Sequence, residues 1–345
     1  MNLQELLYKV NIVKLIGITN IDISKIAFDS REIIPSSLFV AIEGTQHNGH
    51  DYISQAIKKG ATAIILKDLP ENIDDKVTYI QVNNSTSTLG IIAANFYGNP
   101  SKKIKVVGVT GTNGKTTIVS LLNHLFSMLN VKSGMLSTIE NRIAGKVIPS
   151  THTTPDAIQI NYLLNQMVNQ GCEYCFMKVS SHAIIQERIS AVYFAAAVFT
   201  NITQDHLDYH NSFSEYIQAK KQFFDSLSKS AFALTNKDDR NGMKMLEGTK
   251  ASKYTYSLKS VSNYKCRVLE YQFQGMLLNI NNIDVWVKLI GESNAYNMLA
   301  VYSVASLFGF ADQEILTAMS MLTSVEGRFQ YLRSEDNVTA IIDYA

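Results

Sequence analysis

Residues 111–117 have the composition of a phosphate-binding loop. They read Gly-Thr-Asn-Gly-Lys-Thr-Thr. Glycines permit a tight turn that aims backbone N–H groups at phosphate oxygens, and the N-terminus of a following helix adds partial positive charge. A lysine in such a loop reaches the β- and γ-phosphates, and a threonine hydroxyl after it suits Mg²⁺. We therefore predict an ATP site, whose phosphate-contacting residues are Gly111, Thr112, Asn113, Gly114, Lys115, Thr116 and Thr117.

The flanking residues support this prediction, although one departs from the general pattern. Val109 stands where the general phosphate-loop pattern has glycine, so a glycine turn that binds nothing is the alternative. The β-branched run Ile104–Thr110 predicts a buried parallel strand before the loop, and residues 118–129 have helical spacing after it. Strand, glycine loop and helix together favour phosphate binding.

The surrounding chain predicts an α/β protein of more than one domain. Residues 1–99 are predicted to form a small α/β domain, and residues 98–103 form a linker. Alternating strands and helices in residues 100–331 predict a doubly wound, mostly parallel sheet around the ATP loop. Residues 332–345 contain one predicted strand, Asn337–Ile342, as the stub of a third domain. In the first domain, strands are predicted at residues 36–42, 61–66 and 77–82. Helices are predicted at residues 52–59 and in a segment that ends at residue 97.

Composition limits the partners and the compartment. The 345 residues include 31 basic and 30 acidic side chains, a formal net charge of +1, which gives no general attraction to nucleic acid or to anionic membranes. No apolar run reaches the roughly 18 residues that span a bilayer. Three cysteines and no recognisable signal peptide predict a cytoplasmic protein with reduced thiols. Cys172 and Cys175 have the spacing of half a zinc site, but buried thiols are the favoured interpretation.

An ordered series of further motifs resembles the Mur ligases of peptidoglycan synthesis, and within them the branch that adds the third residue of the stem peptide. The match begins at Asp29 and runs to the last residue. Its most specific part is TGTNGKTT at 110–117. The other matching stretches are Thr153-Thr154-Pro155, Val179–His182 with Gln186 and Arg188, Thr200–Ile202, Asp205–His210, Ala219-Lys220, Asn236–Asp239, Asn294 with Asn297, and Gly327-Arg328.

The resemblance implies an ATP-dependent ligase. In such enzymes ATP phosphorylates the free carboxylate of UDP-N-acetylmuramoyl-L-alanyl-D-glutamate, and the amine of an incoming amino acid attacks the acyl phosphate. Meso-diaminopimelate is favoured over L-lysine as the acceptor only because it is the commoner of the two. The resemblance also implies a monomer, and it adds Asn294, Asn297, Arg328 and Asp343 to the ATP-binding residues.

The resemblance further implies a Mg²⁺ site and a modified lysine. Lys115, Lys220 and His182 would be the catalytic residues. Lys220 would add CO₂ to become N6-carboxylysine, and this carbamate would hold Mg²⁺ together with Thr116 and His182. Without the resemblance, Lys220 would be interpreted as a solvated surface lysine. His182 follows a predicted strand, where catalytic groups lie in open α/β sheets, and a capped core histidine is the alternative.

The nucleotide-linked dipeptide would contact both domains. Asp29-Ser30-Arg31 and residues 44–50 resemble the uridine-binding motifs of the family, although a turn with a helix cap is the alternative interpretation. Substrate-binding residues implied in this way are Phe28, Ser30, Thr45, Gln46, His47, Thr153, Thr154, Ser180, Gln186 and Arg188.

Two departures from the family pattern are expected to affect activity. Family members carry a third domain that binds the acceptor, so we expect residues 1–345 alone to form no tripeptide. Lys178 stands where the family has a Mg²⁺-binding glutamate. A degenerate protein that binds nucleotide sugar and ATP without turnover is therefore the alternative function, and a folate polyglutamylating ligase is a weaker one.

Overall fold

A computed structural model describes residues 1–44, 47–138, 140–149, 154–203, 212–325, 327, 330–333 and 339–343. Contacts divide the chain into two units. The first contains Met1–Lys103, Pro155–Gln166 and Ile185–Val192, and the second contains Ile104–Thr154, Met167–Ile184 and Tyr193–Ala345. The predicted domain boundaries at residues 99 and 331 stay predictions.

The first unit is built on a five-stranded sheet in the order β1-β5-β4-β3-β2, in which only β1 is antiparallel to its neighbour. Its strands are β1 (Ile12–Ile16), β2 (Lys25–Ala27), β3 (Ser37–Val40), β4 (Ala61–Leu66) and β5 (Thr78–Val82). Its first three helices are α1 (Leu3–Leu6), α2 (Ile53–Lys58) and α3 (Ser85–Phe96).

Both faces of this sheet are covered by apolar side chains. Alternate residues of β4 belong to two different core clusters, Ala63 and Ile65 to one and Ile64 and Leu66 to the other. Successive side chains of a strand point to opposite faces, so a strand that is buried on both sides has a continuous apolar sequence. The run that predicted a strand at residues 61–66 is this central strand.

The second unit is built on an eleven-stranded sheet in the order β16-β15-β14-β13-β12-β11-β6-β10-β7-β8-β9. Its strands are β6 (Lys105–Thr110), β7 (Ser133–Leu136), β8 (Glu140–Ile143), β9 (Lys146–Pro149), β10 (Tyr174–Lys178), β11 (Phe194–Phe199), β12 (Phe232–Asn236), β13 (Ser252–Ser257), β14 (Tyr264–Gln272), β15 (Gly275–Ile280) and β16 (Ile283–Val287). The remaining helices of the chain are α4 (Lys115–Met128), α5 (Ala157–Asn169), α6 (Ser181–Ile185), α7 (Phe213–Asp225), α8 (Gly242–Leu246), α9 (Glu292–Leu307) and α10 (Asp312–Met321). Residues 157–166 of α5 belong to the first unit.

The seven strands from β14 to β7 in this order are parallel, and antiparallel hairpins extend the sheet at both ends. The prediction of an α/β protein with a doubly wound, mostly parallel sheet is confirmed. Strand order reverses at β6, because β7 and β10 lie on one side of it and β11 on the other. In open sheets, ligands bind beyond the carboxyl ends of the strands at such a point.

A separate two-stranded hairpin follows, formed by β17 (Gln330–Arg333) and β18 (Thr339–Ile342). The strand predicted at residues 337–342 is thus β18. Its partner, β17, is a strand that the sequence pattern did not predict.

Candidate functional site

The glycine loop joins the carboxyl end of β6 to helix α4. Gly111 and Gly114 have φ of +144° and +84°. A Cβ atom on Gly111 would lie 1.9 Å from Oγ1 of Thr200, and one on Gly114 would lie 2.6 Å from Oδ1 of Asn297. Both positions therefore require glycine, through backbone conformation and through close approach.

Helix α4 begins at Lys115, three residues before the start predicted from apolar spacing. The first backbone N–H groups of a helix have no acceptor within the helix. Gly114, as the N-cap, offers no side chain to cap them. The N–H groups of Lys115, Thr116 and Thr117 are consequently suited to phosphate oxygens.

Thr200 and Asn201, which directly follow β11, hold the loop from one side. The backbone N–H of Thr112 donates to the backbone oxygen of Asn201 at 2.8 Å. The backbone N–H of Asn113 donates to Oδ1 of Asn201 at 3.0 Å. The hydroxyl of Thr200 donates to the carbonyl of Asn113 at 2.6 Å. The loop conformation is therefore fixed by hydrogen bonds to its backbone, and the sequence analysis did not assign these two residues to the site.

Two lysine amines lie at the carbonyl oxygens of the loop. Lys115 Nζ donates to the carbonyls of Gly111 and Thr112, at 2.7 and 2.6 Å. Lys220 Nζ, from helix α7, donates to the carbonyl of Gly111 at 3.2 Å and lies 4.3 Å from the centre of the Tyr216 ring. Lys220 is only 1% exposed, so the interpretation of it as a solvated surface lysine is wrong.

The loop opens into a cavity of about 720 Å³ in the second unit. Asn294 and Asn297, on the first turns of α9, line it together with Asn113, Gly114 and Asp343. Asn297 Nδ2 donates to Asn294 Oδ1 at 3.1 Å, and Asn294 Nδ2 donates to the carbonyl of Ile290 at 2.9 Å. Of the predicted ATP residues, the structure thus brings Asn113, Gly114 and Thr117 of the loop to one cavity with the two asparagines of α9 and Asp343.

The same cavity is lined by two carboxylates that the sequence analysis left without a role. Asp238 Oδ2 accepts the hydroxyl of Tyr296 at 2.9 Å, and Asp239 Oδ2 accepts the backbone N–H of Ile202 at 2.9 Å. The available signal was their place in the Asn-Lys-Asp-Asp motif after β12. Burial raises the pKa of the Asp238 carboxyl, but hydrogen bonds from Ser257, Ser260, Lys259 and Tyr296 outweigh it and lower that pKa to about 2.

The donor set for Mg²⁺ depends on Lys220. Among the residues that the structure describes, no three His, Cys, Asp or Glu side chains are grouped closely enough to hold a metal ion. Thr116 lies in the first turn of α4 and His182 in α6. An ammonium repels a metal ion, so Lys220 fits the set only as a carbamate.

Lys178 ends β10, the strand beside β6. Its Nζ donates to the hydroxyl of Thr138, and its backbone oxygen accepts the hydroxyl of Thr154 at 3.1 Å. The hydroxyl oxygens of Thr154 and Ser180 lie 3.3 Å apart. Two of the predicted substrate residues, Thr154 and Ser180, are therefore adjacent at the carboxyl edge of the second sheet.

Other predicted substrate residues lie in the first unit. Ser30 is buried and donates to Oε1 of Gln55 at 3.0 Å, and Phe28 packs on the core cluster of the sheet. The ring of His47 meets that of Tyr52 edge to face, with 6.4 Å between centres. Gln186 Oε1 accepts from Nε of Arg188 at 2.9 Å.

The turn-and-cap alternative at residues 29–31 corresponds to a feature of the structure. Asp29 Oδ1 accepts the backbone N–H of Arg31 at 2.8 Å, and the two side chains form an ion pair at 2.7 Å. The hydrogen bond from the Arg31 side chain holds the pKa of the Asp29 carboxyl below its usual value. Because the Asp29 carboxylate already caps this turn, the hydroxyl of Ser30 is the group in this motif to test for contact with uridine.

Some predicted residues lie outside the described residues. They are Thr45, Gln46, Thr153 and Arg328, together with the motif at residues 205–210.

All three cysteines are free and buried, as predicted. Burial raises the pKa of the Cys172 thiol. In the part of the chain that the structure describes, no helix is long and apolar enough to cross a membrane.

Comparisons with known proteins agree with this arrangement. The sequence model of the Mur ligase middle domain matches residues 109–305, and that of the Mur ligase family, catalytic domain, matches residues 22–97. The UDP-N-acetylmuramoyl-L-alanyl-D-glutamate–2,6-diaminopimelate ligase of Phocaeicola vulgatus is 50% identical over 345 residues, which are 100% of this chain and 71% of the relative. The ligase of the same name from Cytophaga hutchinsonii is 48% identical over 346 residues, again 100% of this chain and 71% of the relative.

A solved structure of a ligase of that name has the same fold. It superposes with a TM-score of 0.84 at 24% identity, and the match covers 100% of this chain and 71% of that one. The sequence matches extend over both units, and more than half of the chain falls within the middle-domain match. The chain therefore belongs to the Mur ligase family.

Proposed function

We propose that the chain carries the ATP site and substrate-binding residues of a ligase of peptidoglycan precursor synthesis. The reaction would join meso-diaminopimelate to UDP-N-acetylmuramoyl-L-alanyl-D-glutamate. The names of the relatives from P. vulgatus and C. hutchinsonii describe ligation of 2,6-diaminopimelate to this substrate. The geometric observation that supports it best is the place of Lys220. This buried amine lies at the phosphate loop, 109 residues away in sequence, where the resemblance requires a carbamate.

The chemistry has two steps. The γ-phosphoryl group of ATP passes to the carboxylate of the dipeptide, which gives an acyl phosphate and ADP. The acceptor amine then attacks the acyl carbon and forms the amide, and inorganic phosphate leaves. Lys115 and the N–H groups at the start of α4 would hold and neutralise the phosphates, since this chemistry relies on positioning and on charge stabilisation.

Mg²⁺ would supply further neutralisation of phosphate charge when bound. Thr116, His182 and carbamylated Lys220 would hold it. Carbamylation itself joins the Lys220 amine to CO₂ and releases one proton. Asn294 and Asn297 would contact the adenine, and Asp343, which also lines the cavity, would contact the nucleotide.

A second candidate function is binding without turnover. It is favoured by Lys178, which places a cation at the carboxyl end of β10 where the family resemblance has a glutamate. A protein of this kind would retain nucleotide affinity and lose the metal-dependent step. In the same assay, the ligase is expected to form product, whereas a protein that binds without turnover is expected to form none.

The assay uses a chimera that continues this chain with the remaining C-terminal part of the P. vulgatus ligase. With ATP, Mg²⁺, the UDP-muramoyl dipeptide and meso-diaminopimelate, we expect equal amounts of inorganic phosphate and tripeptide. The tripeptide product is identified by mass spectrometry. Lys115→Met should lower both products at least a hundredfold, because the phosphate-binding cation is lost. Nucleotide binding without either product would contradict the ligase and support the second candidate.

The same assay on residues 1–345 alone tests the expectation that they form no tripeptide. Replacement of meso-diaminopimelate by L-lysine tests the choice of acceptor. The monomeric state and the cytoplasmic location stay predictions.

A further inference from the structure

We infer that Asp238 and Asp239 are positioning residues that fix opposite ends of the nucleotide cavity, Asp239 the phosphate end and Asp238 the base end. This inference rests on the proposed function, because it assigns the cavity to an adenine nucleotide. Its basis is the division of hydrogen bonds between two adjacent carboxylates.

Asp239 acts on the segment that holds the phosphate loop. Its Oδ2 accepts the N–H of Ile202 at 2.9 Å, and its Oδ1 accepts the N–H of Asn241 at 2.8 Å. Ile202 directly follows Asn201, which receives two backbone N–H groups of the loop. A carboxylate repels phosphate, so the contribution of Asp239 to phosphate binding must pass through these backbone groups.

Asp238 acts on helix α9 and on the turn after β13. Its oxygens accept Ser257 Oγ at 2.7 Å and the N–H groups of Leu258, Lys259 and Ser260 at 2.8, 3.1 and 3.2 Å. Its Oδ2 also accepts the hydroxyl of Tyr296 at 2.9 Å. Tyr296 lies between Asn294 and Asn297, so this bond fixes the helical turn that presents both amides to the cavity.

The two carboxylates therefore predict separable effects on ligand affinity. Asp239→Ala should loosen the phosphate loop and leave the base end intact. Asp238→Ala should loosen the turn of α9 and leave the loop intact. A general loss of folding would lower the affinity for every ligand by the same factor, and this difference separates positioning from a merely structural effect.

The test is calorimetric titration of the 345-residue chain with ADP, adenosine and GDP. For Asp239→Ala we expect about tenfold weaker ADP binding and unchanged adenosine binding. For Asp238→Ala we expect ADP and adenosine to weaken by the same factor, and the preference for ADP over GDP to fall severalfold. Asp284→Ala is the matched control, because it removes an exposed carboxylate on β16.

The outcomes separate the inference from the function on which it rests. If the unmodified chain does not bind ADP, the proposed function and the inference both fail. If it binds ADP but neither variant changes any affinity, or both variants weaken all three ligands equally, the inference alone is wrong. A loss of adenosine affinity in Asp239→Ala would show direct contact with the nucleoside and would also contradict it.

Discussion

Lys178 is a cation at the carboxyl edge of the sheet, between the strand that ends at the phosphate loop and the strand that precedes Thr138. Two unit charges about 4 Å apart interact by roughly 4 kcal/mol at an effective dielectric of about 20. We therefore expect Lys178→Glu to change metal dependence. The gain in ADP affinity on addition of Mg²⁺ should be at least tenfold larger for Lys178→Glu than for the unmodified chain.

Calorimetric titration with and without Mg²⁺ measures this difference. Lys178→Met separates loss of the cation from gain of an anion, and Lys253→Glu introduces the same charge change at an exposed position on β13. Equal Mg²⁺ dependence in the unmodified chain and in Lys178→Glu would show that position 178 does not face the metal site.

Single residues differed in how far the sequence could place them. The loop glycines were predictable, because residue type and spacing determine a turn that only glycine fits. Residue type and spacing alone did not place Lys220, because a lysine on an amphipathic helix is normally solvated. Only the family resemblance assigned it to the site, where its amine donates to the carbonyl of Gly111, a residue distant in sequence. Asn201 was missed because its two oxygens accept hydrogen bonds from the phosphate loop, which follows a different strand and is distant in sequence.

Among the elements, the turn after β13 and helix α9 depend on one carboxylate. The pKa of Asp238 in the folded chain is about 2, below its ordinary value of 3.8. The stabilisation that this implies is fully present above about pH 4 and is lost as pH falls towards 2. We expect Asp238→Asn to lower the free energy of unfolding at pH 7 by about 1–2 kcal/mol, a value reduced by solvent screening.

Urea denaturation at several pH values tests this linkage. The difference between the unmodified chain and Asp238→Asn should narrow between pH 4 and pH 2, since the unmodified carboxyl is then protonated as well. Asp284→Asn, on the edge strand β16, provides the comparison for an exposed carboxylate. A difference that stays constant from pH 7 to pH 2 would mean that the carboxylate charge does not stabilise the turn.

Elements with a continuous apolar sequence were predicted best, and the antiparallel hairpins least. Strand β4 has the predicted bounds, because burial on both faces leaves a clear sequence signal. The strands β14–β16 were not predicted, since the long strand β14 is exposed over much of its length. A signal was present in Asn281-Asn282, which both have positive φ, as tight hairpin turns require.

At the scale of the whole molecule, a linear division into domains misses part of the packing. The segments 155–166 and 185–192 belong to the first unit, although they lie within the region assigned by sequence to the second domain. The sequence indicates composition shifts and linkers, but it does not show which sheet a later segment packs against. Gln186 and Arg188 are thus grouped with the first unit, whereas Thr154 and Ser180 are grouped with the second.

This division leads to a prediction about two ligands. Ser30 and His47 lie in the first unit, and Lys115 lies in the second. We expect the double variant Ser30→Ala, His47→Ala to weaken binding of the UDP-muramoyl dipeptide at least tenfold and to leave ADP affinity unchanged. Lys115→Met should have the converse effect, because substitutions that share no interaction partner act independently. Calorimetric titration of the 345-residue chain with each ligand measures both affinities.

The hydrogen bond between Ser30 and Gln55 provides the control for the first unit. Gln55→Ala removes this bond but retains the Ser30 hydroxyl. If Ser30 contacts uridine, Gln55→Ala should affect dipeptide binding much less than Ser30→Ala does. Equal losses in the two single variants would assign the effect to local structure, and unchanged affinity in the double variant would remove the uridine site from these residues. A fall in ADP affinity in the double variant would instead show that the two ligand sites are coupled.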